Sequence, residues 1–316
     1  MPLTVPEVTP QPGSTPRWLI VAGGVLAIAS LAFVVRTLAG SWDDVAEHVE
    51  QADAGWLLLG AALGAAGMTA IALGWRLTIR LMGHPTPLGD TVARYFVGEI
   101  GKYLPGSLWP VVGRGELMVR RGLNRPTAYG SVGLGLGLLY LAAGLTAAAF
   151  LPFGSSSTPW WPLVAVPLGL VAIATGVVTR ALRLMVRVFG GEAPTRLPSP
   201  AEQLLVTGAF VPTWVLIGIA TWCIAESIGA SISLASVMAA TSLSWLAGFA
   251  VVPVPGGVGI REAVFIATLA GATSGEAATV AVVARVVFIL VDVAGWAIGA
   301  AFLSVGANAT VDRSEI

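Results

Sequence analysis

The stretch YFVGEIGKYLPGSLWPVVGR, Tyr95 to Arg114, decides the fold. It is mostly apolar, yet it carries Glu99, Lys102 and Arg114 and is broken at Pro105-Gly106. A second broken stretch, Val251 to Ala263, reads VVPVPGGVGIREA and breaks at Pro255-Gly256-Gly257. Both lie in a chain that otherwise reads as membrane-spanning helix. Ionisable residues at membrane depth are costly, and by default they mark functional sites. Paired interruptions of apolar segments in the two halves of a chain point to a transporter's binding site.

Composition supports the membrane setting. The chain is 56% apolar and 11% charged, with mean hydropathy +0.84. A soluble domain carries about 25% charge. Net charge is zero, so the total gives no reason to expect a nucleic-acid partner. One cysteine, Cys223, lies in an apolar run, which excludes an intramolecular disulfide. His48 and His84 stand far apart, each without a metal-ligand neighbour. No HExxH, CxxC, Walker loop or GxSxG pattern is present, so no cofactor and no metal is expected.

The reading is an all-α polytopic membrane protein with about six spanning helices and two broken hairpins. Residues 1–17, Pro-rich and polar without a basic n-region, read as a disordered cytoplasmic tail. Residues 18–304 read as one transmembrane domain and 305–316 as a polar tail. The expected spans are Trp18–Leu38, Gly55–Trp75, Ala128–Leu151, Trp160–Val178, Leu204–Ile228 and Ala278–Leu303. Arginine clusters follow the second span, precede the third and follow the fourth, while the loop after the first is acidic. By the positive-inside rule both termini are then cytoplasmic, in the plasma membrane. That parity requires Thr91–Arg121 to enter and return on the inner side, and Ile232–Leu269 on the outer side. Pro105 and Pro255 lie about half the chain apart, as an inverted repeat would place them.

Irregular backbone at membrane depth needs protein or a watery cavity around it. A helix beginning after each break aims free N–H groups into that cavity and attracts anions. Ser107 and Gly259 are the expected N-caps, and Asp90 an N-cap for a helix from Thr91. Arg261 falls in the first turn of its helix, where a cation opposes the dipole, so an anionic ligand would resolve the conflict. Lys102 is the only lysine against sixteen arginines. The expected polar interior is Glu99, Lys102, Arg114, Arg261, Glu262, Arg285 and Asp292, with Trp109 at the first break. Each has a plainer reading. Glu99–Lys102 can be a structural ion pair, Glu262 a capping-box residue and Arg114 a boundary marker. Arg285 and Asp292, seven apart on one helix face, can form an interhelical pair.

Gly98 to Arg114, Pro255 to Ala263 (PGGVGIREA) and Arg285 in the last helix together resemble the lysylphosphatidylglycerol synthase transmembrane family, also called flippase-like. The resemblance covers the chain from the first span to the last. It implies movement of a lipid or lipid-linked sugar across the bilayer. In the best-known members a soluble domain follows and transfers an amino acid from tRNA to phosphatidylglycerol. The given sequence ends at Ile316, just after the last apolar run, so the expectation covers the membrane half only.

The expected function is therefore a lipid translocase for an anionic or phosphate-bearing lipid, including a polyprenyl-phosphate carrier, rather than an enzyme. Lys102, Arg261, Arg114 and Arg285 would hold the head group, and Glu99, Glu262 and Asp292 would orient the bases or exchange protons. Two alternatives stand beside it. One is a membrane glycosyltransferase using Asp43-Asp44 in the acidic loop. The other is a non-catalytic partner of a lipid-modifying enzyme. Expected partners are membrane lipids, with a homo-oligomer or a lipid-modifying enzyme as protein partners. A small-ion carrier or channel is the remaining rival, one that a cavity open sideways to lipid would disfavour. The topology has a direct test. Cysteines introduced singly at Ser156 and Ser314 should be labelled by an impermeant reagent from opposite sides; labelling from the same side contradicts the arrangement.

Overall fold

The structure, a computed structural model, describes residues 50, 52–104, 108–153, 161–180, 183–184, 194, 196–250, 257 and 259–311. Nine α-helices organise the described residues. They are α1 (Ala54–Leu81), α2 (Leu88–Glu99), α3 (Trp109–Arg120), α4 (Arg125–Phe150), α5 (Ala165–Ala174), α6 (Pro200–Ser227), α7 (Leu234–Ala250), α8 (Ile260–Thr268) and α9 (Ser274–Val311). A 3-10 turn, Ile100–Tyr103, follows α2. No strand occurs among the described residues. Among the described residues four helices are long and apolar enough to cross a membrane: Ala54–Leu81, Arg125–Phe153, Pro200–Ser227 and Ser274–Val305. The chain is a polytopic all-α membrane protein.

Local chemistry sets the helix starts. Asp53 caps α1 by accepting from the N–H groups of Gly55 and Trp56 at 2.7 and 3.1 Å. Asn124 caps α4 through Thr127 N–H, and Ser199 with Glu202 forms a capping box on α6. Within lipid there is little hydrophobic drive between helices, so close approach through small residues takes its place. Gly60, Gly67 and Gly74 form such a stripe on α1, facing α6. A Cβ on Gly67 would stand 2.9 Å from Ile217 Cγ1, and one on Gly74 would collide with the Phe210 ring. Two buried indoles fix α4 against this pair. Trp75 Nε1–H donates to Ser131 Oγ at 3.2 Å, and Trp214 Nε1–H donates to the Leu139 carbonyl at 2.9 Å.

Two helical hairpins complete the fold. In the first, α2 and α3 run back to back. Arg94 donates to the Leu117 carbonyl at 2.9 Å, and Arg121 reaches Asp90 at 3.0 Å. Its base joins the C-terminal end of α1, where Arg76 donates to the Thr86 carbonyl at 2.8 Å. In the second, α7 and α8 pair, and Ser236 Oγ both donates to the Ala270 carbonyl and accepts from the Ala270 N–H, each at 2.8 Å. Its base lies at the C-terminal end of α6, where Trp222 donates to the Ile232 carbonyl at 3.0 Å. The N-terminal end of α1 meets that same place through a 2.8 Å bond from Asp53 N–H to the Ser227 carbonyl. The hairpins thus start from opposite ends of α1. With 12 residues each, α2 and α3 span about 18 Å apiece, short of the ~30 Å hydrocarbon core.

Several expectations change. The predicted span Trp160–Val178 is not one helix. A 3-10 turn, Trp161–Val164, leads into α5, which ends at Thr175-Gly176 because Gly176 takes φ +69°, a left-handed conformation that no continuing helix allows. Asp90 does not cap α2. The helix begins at Leu88 behind Pro87, and Asp90 in its first turn binds Arg94 and Arg121 instead. Trp18–Leu38 and Asp43-Asp44 lie outside the described residues.

The α1–α6 stripe yields a stability prediction. Gly74→Val should lower the thermal unfolding midpoint, with a cost of about 1–3 kcal/mol from overpacking. Cys223, only 1% exposed on α6, is the reporter, read as the temperature at which its thiol reacts with a fluorogenic maleimide. Gly133→Ala, where an added Cβ meets nothing within 4 Å, should not lower it.

Candidate functional site

The two hairpins meet halfway along α1. A cavity of about 190 Å³ is lined by Lys102, Leu108, Pro110 and Arg114 from the first and by Gly248, Gly257 and Arg261 from the second. Met68, at the middle of α1, forms one wall, and Tyr140, Arg285, Phe288 and Asp292 close it. The break residues Pro105, Gly106, Ser107, Pro255 and Gly256 lie outside the described residues; Gly257 is buried at the cavity edge. The first hairpin resumes at α3 with Leu108 as N-cap and no side-chain cap. A cavity this size is below the ~300–1,000 Å³ of a typical ligand pocket.

Charges from distant parts of the sequence pair here. Lys102 Nζ lies 2.7 Å from Asp292 Oδ2 and 3.4 Å from Glu99 Oε1. Tyr103 O–H donates to the same Asp292 Oδ2 at 2.5 Å. Asp292 is 2% exposed, and its Oδ1 has no partner among the described residues. Arg114 is buried, with Nε–H donating to the Pro110 carbonyl at 3.1 Å and Nη1 lying 3.8 Å from Glu99 Oε2. The rings of Tyr95 and Trp75 lie 5.4 and 5.9 Å from its guanidinium carbon. Arg114 therefore lines the cavity.

Glu262 has two tasks. Its Oε2 accepts from the Gly259 N–H at 2.6 Å, closing the start of α8, and its Oε1 holds Arg285 at 2.9 Å. Gly259 stands at φ +81°, a conformation that favours glycine. The expected Arg285–Asp292 pair does not form. Each residue turns to a different hairpin, Arg285 to α8 and Asp292 to the 3-10 turn. Trp109 is 48% exposed and does not line the cavity, whereas its neighbours Leu108 and Pro110 do.

Arg261 differs from the other cations. Among the described residues no carboxylate lies within ion-pair distance of it. Its guanidinium carbon stacks 3.7 Å from the centre of the Trp245 ring. Gly248 and Gly257 clear its path. A Cβ on Gly248 would collide with Arg261 Cγ, and one on Gly257 would stand 3.0 Å from Arg261 Cδ and 2.8 Å from the Gly248 Cα. Four cations, Lys102, Arg114, Arg261 and Arg285, thus face three carboxylates, Glu99, Glu262 and Asp292, leaving one positive charge in excess.

Tyr103, Tyr140, Trp245 and Gly248 were not among the expected site residues. The chain has four tyrosines, and Tyr95, Tyr103 and Tyr140 all sit in or against this cavity, so their scarcity was a usable signal. Trp245 and Gly248 carried none, since both look like ordinary residues of an apolar helix.

Two hairpins that line one charged cavity belong to a polytopic all-α membrane protein. The sequence falls in with this class. The model of the lysylphosphatidylglycerol synthase TM region matches residues 20–295, and the chain belongs to that family. Its function accordingly lies with membrane lipids. No curated protein matches the chain at a significant level.

The pairing makes a measurable claim. Asp292→Ala leaves Lys102 without its nearest counter-charge and should cost about 3–5 kcal/mol, as breaking a buried pair does. Lys102→Met added to Asp292→Ala should recover much of the loss. A double-mutant cycle on unfolding midpoints in detergent reads the coupling; additivity of the two changes would show that the pair is energetically silent.

Proposed function

We propose that the protein is a lipid translocase whose substrate carries an anionic, phosphate-bearing head group. The observation that carries this reading is Arg261, the cation of the cavity that faces no carboxylate among the described residues, held on Trp245 by two glycines. Lys102, Arg114 and Arg285 already have counter-ions. A phosphate would balance the remaining charge and accept a bidentate bond from the guanidinium.

The hairpins are read as re-entrant, one from each membrane face, with both termini cytoplasmic in the plasma membrane. A head group between them exchanges its water for fixed cations and for the N–H groups at the start of α8. That lowers the cost of passing a charge through the apolar core. Alternate loosening of the hairpins would open the cavity to one face and then the other. The sequence holds no nucleotide-binding loop, so transport is downhill or ion-coupled. The unpartnered Oδ1 of Asp292 is the place where a substrate donor or a proton would bind.

Translocation of a fluorescent phosphatidylglycerol in proteoliposomes tests the reading. Arg261→Ala and Lys102→Ala should each abolish it; Arg261→Ala should keep the unfolding midpoint, while Lys102→Ala, which leaves Asp292 unpaired, should lower it. Lys102→Arg should retain part of it, because a planar guanidinium does not reproduce a compact ammonium. Full activity in Arg261→Ala would end the proposal.

A further inference from the structure

A second, larger cavity runs beside the first. It measures about 890 Å³ and lies between α4 and α5, with Met82, just after α1, and Val111 of α3 on its sides. Its lining is overwhelmingly apolar. The polar groups gather at one end, where Tyr129 O–H donates to Glu116 at 2.7 Å and Arg125 lies 3.8 Å from the same carboxylate. From Arg125 to Leu141, the groove follows α4 for about 24 Å, most of the ~30 Å hydrocarbon core.

Val111 lines both cavities. α4 is shared too: Leu136 and Tyr140 face the charged cavity, while Gly133, Gly137 and Leu141 face the groove. The two cavities thus share a wall at Val111, and a molecule lying across it would place a charged end in one and an apolar end in the other. We infer that the groove holds a hydrocarbon chain of the lipid whose head group occupies the charged cavity. This rests on the head-group reading above.

The glycines bear on which occupant fits. A Cβ at Gly133 or Gly137 meets nothing within 4 Å, so neither position is packed against another described helix. Their four-residue spacing also suits helix-on-helix packing, which makes a helix the competing occupant. Continuity favours the lipid: Val111 and α4 join the groove to the charged cavity, which suits one molecule with an apolar chain in the groove and a charged end beside it.

The test places p-benzoylphenylalanine at position 133 in the full chain. The protein sits in nanodiscs of equal parts phosphatidylglycerol and phosphatidylcholine, and adducts are mass-analysed after irradiation. The expected product is a phosphatidylglycerol adduct in preference to phosphatidylcholine. Gly137→Trp, filling the groove one turn away, should lower its yield about tenfold. Arg261→Ala should remove the preference for phosphatidylglycerol. Adducts to a peptide within residues 18–38, or to a second copy of the chain, would overturn the proposal, as would lipid adducts with no head-group preference. Glycerol phosphate, a head group without chains, separates the two readings. If it binds in an Arg261-dependent way but no lipid adduct forms at 133, the groove assignment fails alone. If it does not bind, the head-group reading fails and the groove assignment falls with it.

Discussion

A buried carboxylate holds the site together. Asp292 sits on α9, 2% exposed, and takes both Lys102 and Tyr103 on one oxygen. Removing such charges from water costs several kcal/mol per ion, and only close pairing with further hydrogen bonds offsets it. The 3-10 turn before the first break is therefore tied to the last long helix. Without that tie Lys102 would keep only Glu99, at 3.4 Å, as a counter-charge.

The second hairpin solves the same problem differently. Glu262 spends one oxygen on the backbone at the start of α8 and the other on Arg285 of α9. Both hairpins are thus fastened to α9 by an ion pair, one through Asp292 and one through Arg285, seven residues apart. Arg261 is left over. An aromatic face supports it, and two glycines make room for its stem. A cation at a helix N-terminus gains nothing from the helix dipole. Stability elsewhere and availability here are two sides of one charge distribution.

Small residues govern how close these elements come. Along α1 glycines let α6 approach, Gly98 lets the two arms of the first hairpin touch, and Gly248 does the same for the second. In lipid such contact replaces the hydrophobic drive that water would supply. On the groove face of α4 the same residue type leaves space instead of contact, since nothing described packs on Gly133 or Gly137. One residue type serves two ends, and only its neighbours distinguish them.

The sequence by itself determined the membrane setting, the two breaks and the set of charges around them. Composition does that, because a charge or a Pro-Gly pair inside an apolar run is too costly to be incidental. It also placed Glu99 beside Lys102 and Glu262 at the start of its helix, since both relations are three residues long. Tertiary structure decided the rest. Arg285 and Asp292 share a helix face, yet they part to different hairpins because each finds a nearer counter-charge on an element distant in sequence. Trp109 belongs to the first break but turns outward, while Trp245, unremarked in its apolar helix, supports Arg261. Gly176 ends a helix that hydropathy reads as continuous, because hydropathy carries no information about φ. Short-range relations follow from spacing along one helix. Long-range pairing follows from which faces pack together, and in an apolar chain almost every face looks alike.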